Sequence, residues 1–355
     1  MNWNASTALR IGIICANLFL CFWPVQAKVQ IQLRHPRPWS AEKMASLVSE
    51  GVERVILRVF QDDPVHGGLF FVNSHFRLLQ PYLEEFSARL AGRSELWAWM
   101  LARKFSWSPD SHYFDRVYRD GCLAELNRFD LFNPEAVEKV SSLLAELAAK
   151  PIDGILLQDD LVIRHNEGFS NWGRAFFFKR SGERPQIADL MRRDSPWHHS
   201  WLQAKTSRVN QVLARFVRAV KQKNPAVLIG MNIYYETPLF PESSIAWYAH
   251  DFSGILDSGL DQVFLMAYHR QMKSEKKLTE EENRRLFVEM IARAREKAGA
   301  RLVVKLQVRD FDSGELLPIR ELREYLRLVP EGIKVCFMSV EEDNLSFLRA
   351  VRSGF

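Results

Sequence analysis

The sequence predicts an α/β protein folded as a (β/α)8 barrel of the TIM type. Three observations carry that expectation. First, short β-type runs alternate with longer helical patterns, eight of each, as in a parallel sheet wound with helices. Second, one run, Ile152–Leu157, is apolar throughout and is followed by two adjacent acids, Asp159 and Asp160. A strand buried on both faces reads as a continuous apolar run. The C-terminal ends of barrel strands are where this fold carries its chemistry. Third, a doubly wound open sheet would show a Gly-rich phosphate turn after its first strand. The residues there are His35-Pro36-Arg37-Pro38-Trp39 instead.

The elements follow in order. Val29–Arg34 is the first run. Ser40–Glu50 is a helix with Ser40 at its N-cap and Glu42 in the first turn, where a carboxylate suits the positive end of the helix dipole. Val52–Phe60 is the second run, followed by helical Phe76–Leu90, and Glu95–Leu101 is the third. Asn133–Ala149 is a helix capped by Asn133, with Pro134 in its first turn. Ile152–Leu157 is the fourth run, before a long amphipathic helix over Gln203–Lys223. Val227–Tyr235 pairs with helical Ser243–Leu256, and Gln262–Tyr268 with Thr279–Lys297. Leu302–Val308 pairs with Pro318–Leu328, and Ile333–Ser339 with Glu341–Val351. No internal repeat, low-complexity segment or Pro/Ser-rich linker interrupts this series, so residues 28–355 are expected to form one domain.

Of the 355 residues, 47% are hydrophobic and 26% charged, enough to build a substantial core. The net charge of +5 is small for the length, and Lys and Arg are interspersed with acids. That balance describes a slightly basic surface and gives no reason to expect a nucleic-acid partner. Residues 1–27 are set apart as a signal peptide. Arg10 precedes an apolar segment from Ile11 to Trp23, and Val25-Gln26-Ala27 resembles a small-x-small cleavage site. The alternative is an uncleaved anchor, although the apolar segment is shorter than an ordinary membrane span. The expected location is periplasmic or secreted, with no stable membrane insertion after cleavage. Outside that segment only Cys122 and Cys336 remain, too few for a disulfide framework.

The strand ends form the functional map. Asp62 and Asp63 follow the second run, before a Pro-containing turn that they also suit as turn formers. Trp97, Trp99 and Trp107 lie on and after the third, as core residues or as sugar platforms. Asp159 and Asp160 follow the fourth, and Asn232 and Tyr235 end the fifth. Tyr268 and His269 end the sixth, and Gln307 lies on the seventh. Aromatic rings stack on sugar C–H faces while acids and amides bind hydroxyls, so a polysaccharide is the expected partner. Glycosidic cleavage needs a proton donor for the leaving oxygen and stabilisation of an oxocarbenium-like transition state. Two neighbouring acids supply this when their environments separate their pKa values. Asp160 is the first candidate for the acid, with Asp159 beside it. The converse assignment stays open, as does a loop-binding role for either one. No cofactor is expected. His198-His199 has only Asp194 nearby and is not expected to hold a metal.

The segment Ile152-Asp153-Gly154-Ile155-Leu156-Leu157-Gln158-Asp159-Asp160 resembles the C-terminal glycoside hydrolase domain of the PgaB family of biofilm exopolysaccharide systems. Further matches are Trp97-Ala98-Trp99-Met100, Asn232-Ile233-Tyr234, Pro241-Glu242-Ser243, Trp247-Tyr248-Ala249 and Met266-Ala267-Tyr268. They recur in the family's order from about Val29 to Ser339. The resemblance implies a (β/α)8 barrel with a long cleft and endo-type hydrolysis of partly de-N-acetylated poly-β-1,6-N-acetyl-D-glucosamine. It also implies contact with exopolysaccharide export machinery. More distantly, Asp153 to Asp160 is similar to the fourth-strand motif of chitinases, with Asp160 at the station of their acid. Gln158 departs from the PgaB family, which has His there. The family's metal-dependent deacetylase domain has no counterpart in the residues before Val29. The alternatives are a barrel that binds polymer without cleaving it, and a hydrolase of another glycan such as peptidoglycan.

Overall fold

A computed structural model of the chain describes residues 29–34, 40–90, 92–341 and 344–352. The proposed signal peptide and residues 35–39 lie outside the described residues. Eight parallel strands close into a barrel, in the spatial order β1-β8-β7-β6-β5-β4-β3-β2. They are β1 (Val29–Leu33), β2 (Val52–Arg58), β3 (Glu95–Met100), β4 (Gly154–Leu157), β5 (Leu228–Ile233), β6 (Gln262–Met266), β7 (Leu302–Gln307) and β8 (Lys334–Val340). Their residues are almost all buried because helices cover the outside while side chains fill the inside.

The interior is layered. Near the strands' N-terminal ends Arg54 donates to Gln30 Oε1 (3.2 Å), Gln262 Oε1 (2.6 Å) and Glu95 Oε2 (2.6 Å). Its guanidinium lies over the Trp97 ring, 4.0 Å from the centroid, which screens the charge from the core above. Trp97 is fully buried and meets Phe264 edge-on. Gly154 makes room for it: a Cβ there would sit 2.3 Å from the indole. Near the C-terminal ends Lys305 Nζ donates to Asn232 Oδ1 at 2.7 Å.

The expected helices form with shifted ends. Ser40, Asn133 and Thr279 cap the helices Ala41–Ser49, Pro134–Ala148 and Glu280–Ala298, the last through a capping box with Glu282. The helix expected from Phe76 begins only at Tyr82, after Pro81. The helix expected from Gln203 begins at Pro196, which occupies its first turn, and runs to Lys223. His198 and His199 are therefore helical: His198 Nδ1 bonds Leu190 O (2.8 Å) and His199 meets Gln203 (2.9 Å). The helix expected over Ser243–Leu256 breaks at Ala249, whose φ is +58°, into Pro241–Tyr248 and Phe252–Asp257. The loop after β3 also carries an antiparallel hairpin, Phe114–Arg119 with Cys122–Phe129.

Candidate active site

The C-terminal ends of β2 to β5 and the hairpin enclose a cavity of about 240 Å³. Its wall includes Asp62, Trp99, Asp159 and Asp160 from the expected set, together with Arg58, Lys104, Arg128, Gln158, Arg164 and Tyr234.

The adjacent acids lie in the turn after β4 and diverge there. Asp160 is buried, and its carboxylate turns back onto the loop after β3. It accepts backbone N–H groups from Ala102 (2.9 Å), Arg103 (2.8 Å) and Lys104 (2.6 Å). Burial pushes its pKa above the usual carboxylate range and Asp159 pushes the same way, while the three amides pull it down. Asp159 is half-buried on the cavity wall. The Tyr234 hydroxyl donates to the Asp159 main-chain oxygen at 2.9 Å and lies 3.4 Å from its Oδ2. Tyr234 stacks on Tyr248 with ring centroids 4.1 Å apart, which fixes the hydroxyl's position. Beneath Asp159, burial lowers Lys305 to about 8 and raises Tyr268 well above the usual phenol range. The buried Tyr268 hydroxyl has no hydrogen-bond partner among the described residues.

The loop that Asp160 holds is braced from below. Arg103 is fully buried and pairs with Asp115 on the hairpin and with Glu167, and it donates to Phe129 O (2.8 Å) and Val162 O. Burial pushes Glu167 up, but the charge and hydrogen bond of Arg103 outweigh it and hold the carboxylate below its ordinary range. One arginine thus ties the loops after β3 and β4 to the hairpin. Trp99 forms part of the cavity wall, with its Nε1 donating to Gln158 Oε1. Asp62 pairs with Lys104 and accepts from Ser106 Oγ (2.9 Å).

The other expected residues lie elsewhere. Trp97 is in the core and offers no ring face to a ligand. Asp63 is a turn former, accepting from Val65 N (2.9 Å) and His66 N (2.6 Å). Trp107 lines a separate cavity of about 390 Å³ with Phe76 and Arg77. Asn232 lies under the site, bound to Lys305 and to Leu157 O. His269 and Gln307 line a groove of about 950 Å³ at the exits of β6 and β7. There His269 Nε2 contacts Glu321 (2.8 Å) and its ring stacks on Tyr325. Tyr235 points to this side and donates to Glu275 (2.6 Å). The residue of this pair that faces the acids is Tyr234. Strand parity carries that signal, since Asn232 and Tyr234 are two apart and share a side.

This fold, with an acid pair after β4 on a polar and aromatic wall, is an arrangement that suits a (β/α)8 glycoside hydrolase. Residues 42–336 match the model described as hypothetical glycosyl hydrolase family 13, and the chain belongs to that family. The glycoside hydrolase domain of PgaB (BpsB) from Bordetella bronchiseptica is similar at a TM-score of 0.74 and 22% identity, covering 92% of this chain and 98% of that one. The β-galactosidase of the psychrophilic Marinomonas ef1 follows at 0.64 and 12%, covering 88% of this chain and 53% of that one. That of the haloarchaeon Halorubrum lacusprofundi gives 0.58 and 12%, covering 88% and 52%. At these identities the likeness is one of fold. No curated protein matches the sequence. Among the described residues no helix is long and apolar enough to cross a membrane.

Proposed function

We propose that this chain hydrolyses glycosidic bonds within an N-acetylated amino-sugar polysaccharide, with Asp159 as the proton donor and Asp160 as the group that positions the loop after β3. The observation that carries this reading is the division between adjacent carboxylates. Asp160 is buried, and although burial leaves its pKa raised, three main-chain N–H donors occupy its oxygens and turn them away from the cavity opening. Asp159 faces the cavity beside a tyrosine hydroxyl. The order of roles is the converse of the one that the chitinase comparison suggests.

Asp62 is held by Lys104 and Ser106, so the cavity offers one carboxylate free to exchange a proton. One acid suffices when the substrate's own N-acetyl oxygen attacks the anomeric carbon, as in substrate-assisted glycosidases. Asp159 then gives its proton to the leaving oxygen and takes one back from the water that opens the intermediate. The dependence on an N-acetyl group is what makes an amino sugar the preferred substrate. The polymer implied by the motif resemblance is partly de-N-acetylated β-1,6-linked N-acetylglucosamine, cleaved internally by a periplasmic or secreted enzyme beside the export machinery. A second polymer class is favoured by the guanidinium groups around the cavity, as argued below.

The test is incubation with defined oligosaccharides of both classes, scored by new reducing ends. The reading expects ends from N-acetylated amino-sugar chains and none after full de-N-acetylation. Retention of every glycan without a new end would replace it with a binding role.

A further inference from the structure

We infer that the cavity beside Asp159 receives a sugar unit bearing a carboxylate, recognised by Arg58, Arg128 and Arg164. The inference rests on the hydrolase reading for the place of the cavity, but it concerns which polymer enters.

The charge around the cavity is unbalanced. Arg58, Lys104, Arg128 and Arg164 line it against Asp62, Asp159 and Asp160. Lys104 and Asp62 neutralise each other. Asp160 is engaged by backbone amides. Arg128 pairs with Glu167 at 3.5 Å behind the wall. Two guanidinium groups, Arg58 and Arg164, then share the space with one half-buried carboxylate, which gives up its charge whenever it carries the catalytic proton.

Arg58 and Arg164 have no carboxylate in ion-pair reach among the described residues, and Arg128 shares one. Arg58 donates Nε to Phe60 O (3.0 Å) and lies against the rings of Phe60 (4.5 Å) and Trp99 (5.7 Å). That anchoring engages Nε and orients the rest of the planar fork. Arg128 reaches Glu167 at 3.5 Å, a carboxylate already shared with Arg103. Burial lowers the pKa of Arg128; Glu167 pulls it back up, and the like charges of Arg103 and Arg164 press it down again. Arg164 is exposed, and its guanidinium forms no ion pair among the described residues. Like charges held together in a partly desolvated space are relieved by an anion. A guanidinium fork matches a carboxylate with two parallel hydrogen bonds. A glucosammonium unit would instead add a further like charge, which disfavours it. Two chemistries present a carboxylate on an amino-sugar chain: a lactyl ether on the amino sugar and a neighbouring uronic acid.

Binding of four tetrasaccharides to the full chain at pH 7 tests this. The probes are N-acetylchitotetraose (neutral), chitotetraose (cationic), peptide-free N-acetylglucosamine–N-acetylmuramic acid repeats, and a hyaluronan tetrasaccharide. One of the carboxylate probes should bind at least about tenfold tighter than the neutral one, equivalent to about 1.4 kcal/mol. The cationic probe should bind weakest. Which carboxylate probe wins identifies lactyl or uronate chemistry. The Arg58→Gln/Arg164→Gln double variant should lose the preference, and the corresponding Lys pair should recover part of it. If the double variant does not fold, salt decides: wild-type affinity for the carboxylate probe must fall as ionic strength rises, while that for the neutral probe stays level. Equal or tighter binding of the cationic probe, or no binding of any probe, overturns the inference. Because binding is read apart from cleavage, such a result leaves the hydrolase reading to its own reducing-end assay.

Discussion

Arg103 and Arg270 sit at the exits of β3 and β6, and each holds two carboxylates. Arg103 pairs with Asp115 and Glu167, all three nearly inaccessible to solvent. Arg270 pairs with Asp310 (2.9 Å) and Glu321 (2.6 Å), but its side chain is 36% exposed. The surroundings differ in a second way. In the groove around Arg270 most polar groups are satisfied by one another: His269 and Arg270 by Glu321, Tyr235 by Glu275. On the Asp159 side the buried charges serve to hold loops, and of the groups on the cavity wall Asp159 and Arg164 have no ion-pair partner among the described residues. The larger hollow is thus the self-satisfied one, and the smaller holds the carboxylate proposed to react. Size alone is a poor guide to chemistry; the state of the polar groups is a better one.

Substitution at the two arginines should break the symmetry most. Arg103→Met leaves buried Asp115 without an ion-pair partner and Glu167 with Arg128 alone, a kind of change that costs roughly 3–5 kcal/mol. Arg270→Gln disrupts a solvated pair and should cost about 1 kcal/mol or less. Urea melts of the two variants give the contrast directly, and equal losses would remove it.

The two sides should also answer differently to acid. His250 donates Nε2 to Leu161 O (3.0 Å) in the loop after β4, and burial lowers its pKa to about 4. The unfolded chain takes up that proton near pH 6.5, so stability falls as pH drops from about 6.5 to 4. The loss approaches about 3 kcal/mol when complete. Glu321 is held at about 2, chiefly by its hydrogen bonds to Arg270, and its contribution persists down to about pH 4.5 and disappears toward 2. Thermal melts across pH 4–7 should therefore flatten in a His250→Gln variant and keep their shape in Glu321→Gln.

A smaller effect sharpens the division between the acids. Asp160→Asn turns an amide N–H toward one of three backbone donors and should cost about 1–3 kcal/mol. Its rate should fall only as far as the loop after β3 shifts, and the loss of melting temperature should accompany it.

Much of this was legible in the sequence because burial writes long patterns. The eight strands, the Asn133 cap and the acid pair after Leu157 follow from apolar runs and their interruptions. The hairpin after β3 was missed although Asp120-Gly121, both with positive φ, is a strong turn signal between alternating runs. Its second strand is exposed over most of its length, so no apolar period on that side announces it. Trp97 and Trp99 share parity, so sequence could not tell the core ring from the one on the cavity wall; depth along the strand decides that. Arg58, Arg128 and Arg164 come from three separate elements, and only folding brings them to one wall.

The central claim is that Asp159 delivers the proton. The direct measurement compares Asp159→Asn with wild type on an N-acetylated oligosaccharide and on an aryl glycoside whose leaving group needs no protonation. The claim predicts a fall of roughly 10²–10⁴-fold on the first and a much smaller one on the second. An Asp159→Asn enzyme that cleaves the oligosaccharide at the wild-type rate, or an Asp160→Asn enzyme that loses as much with its melting temperature unchanged, would contradict it.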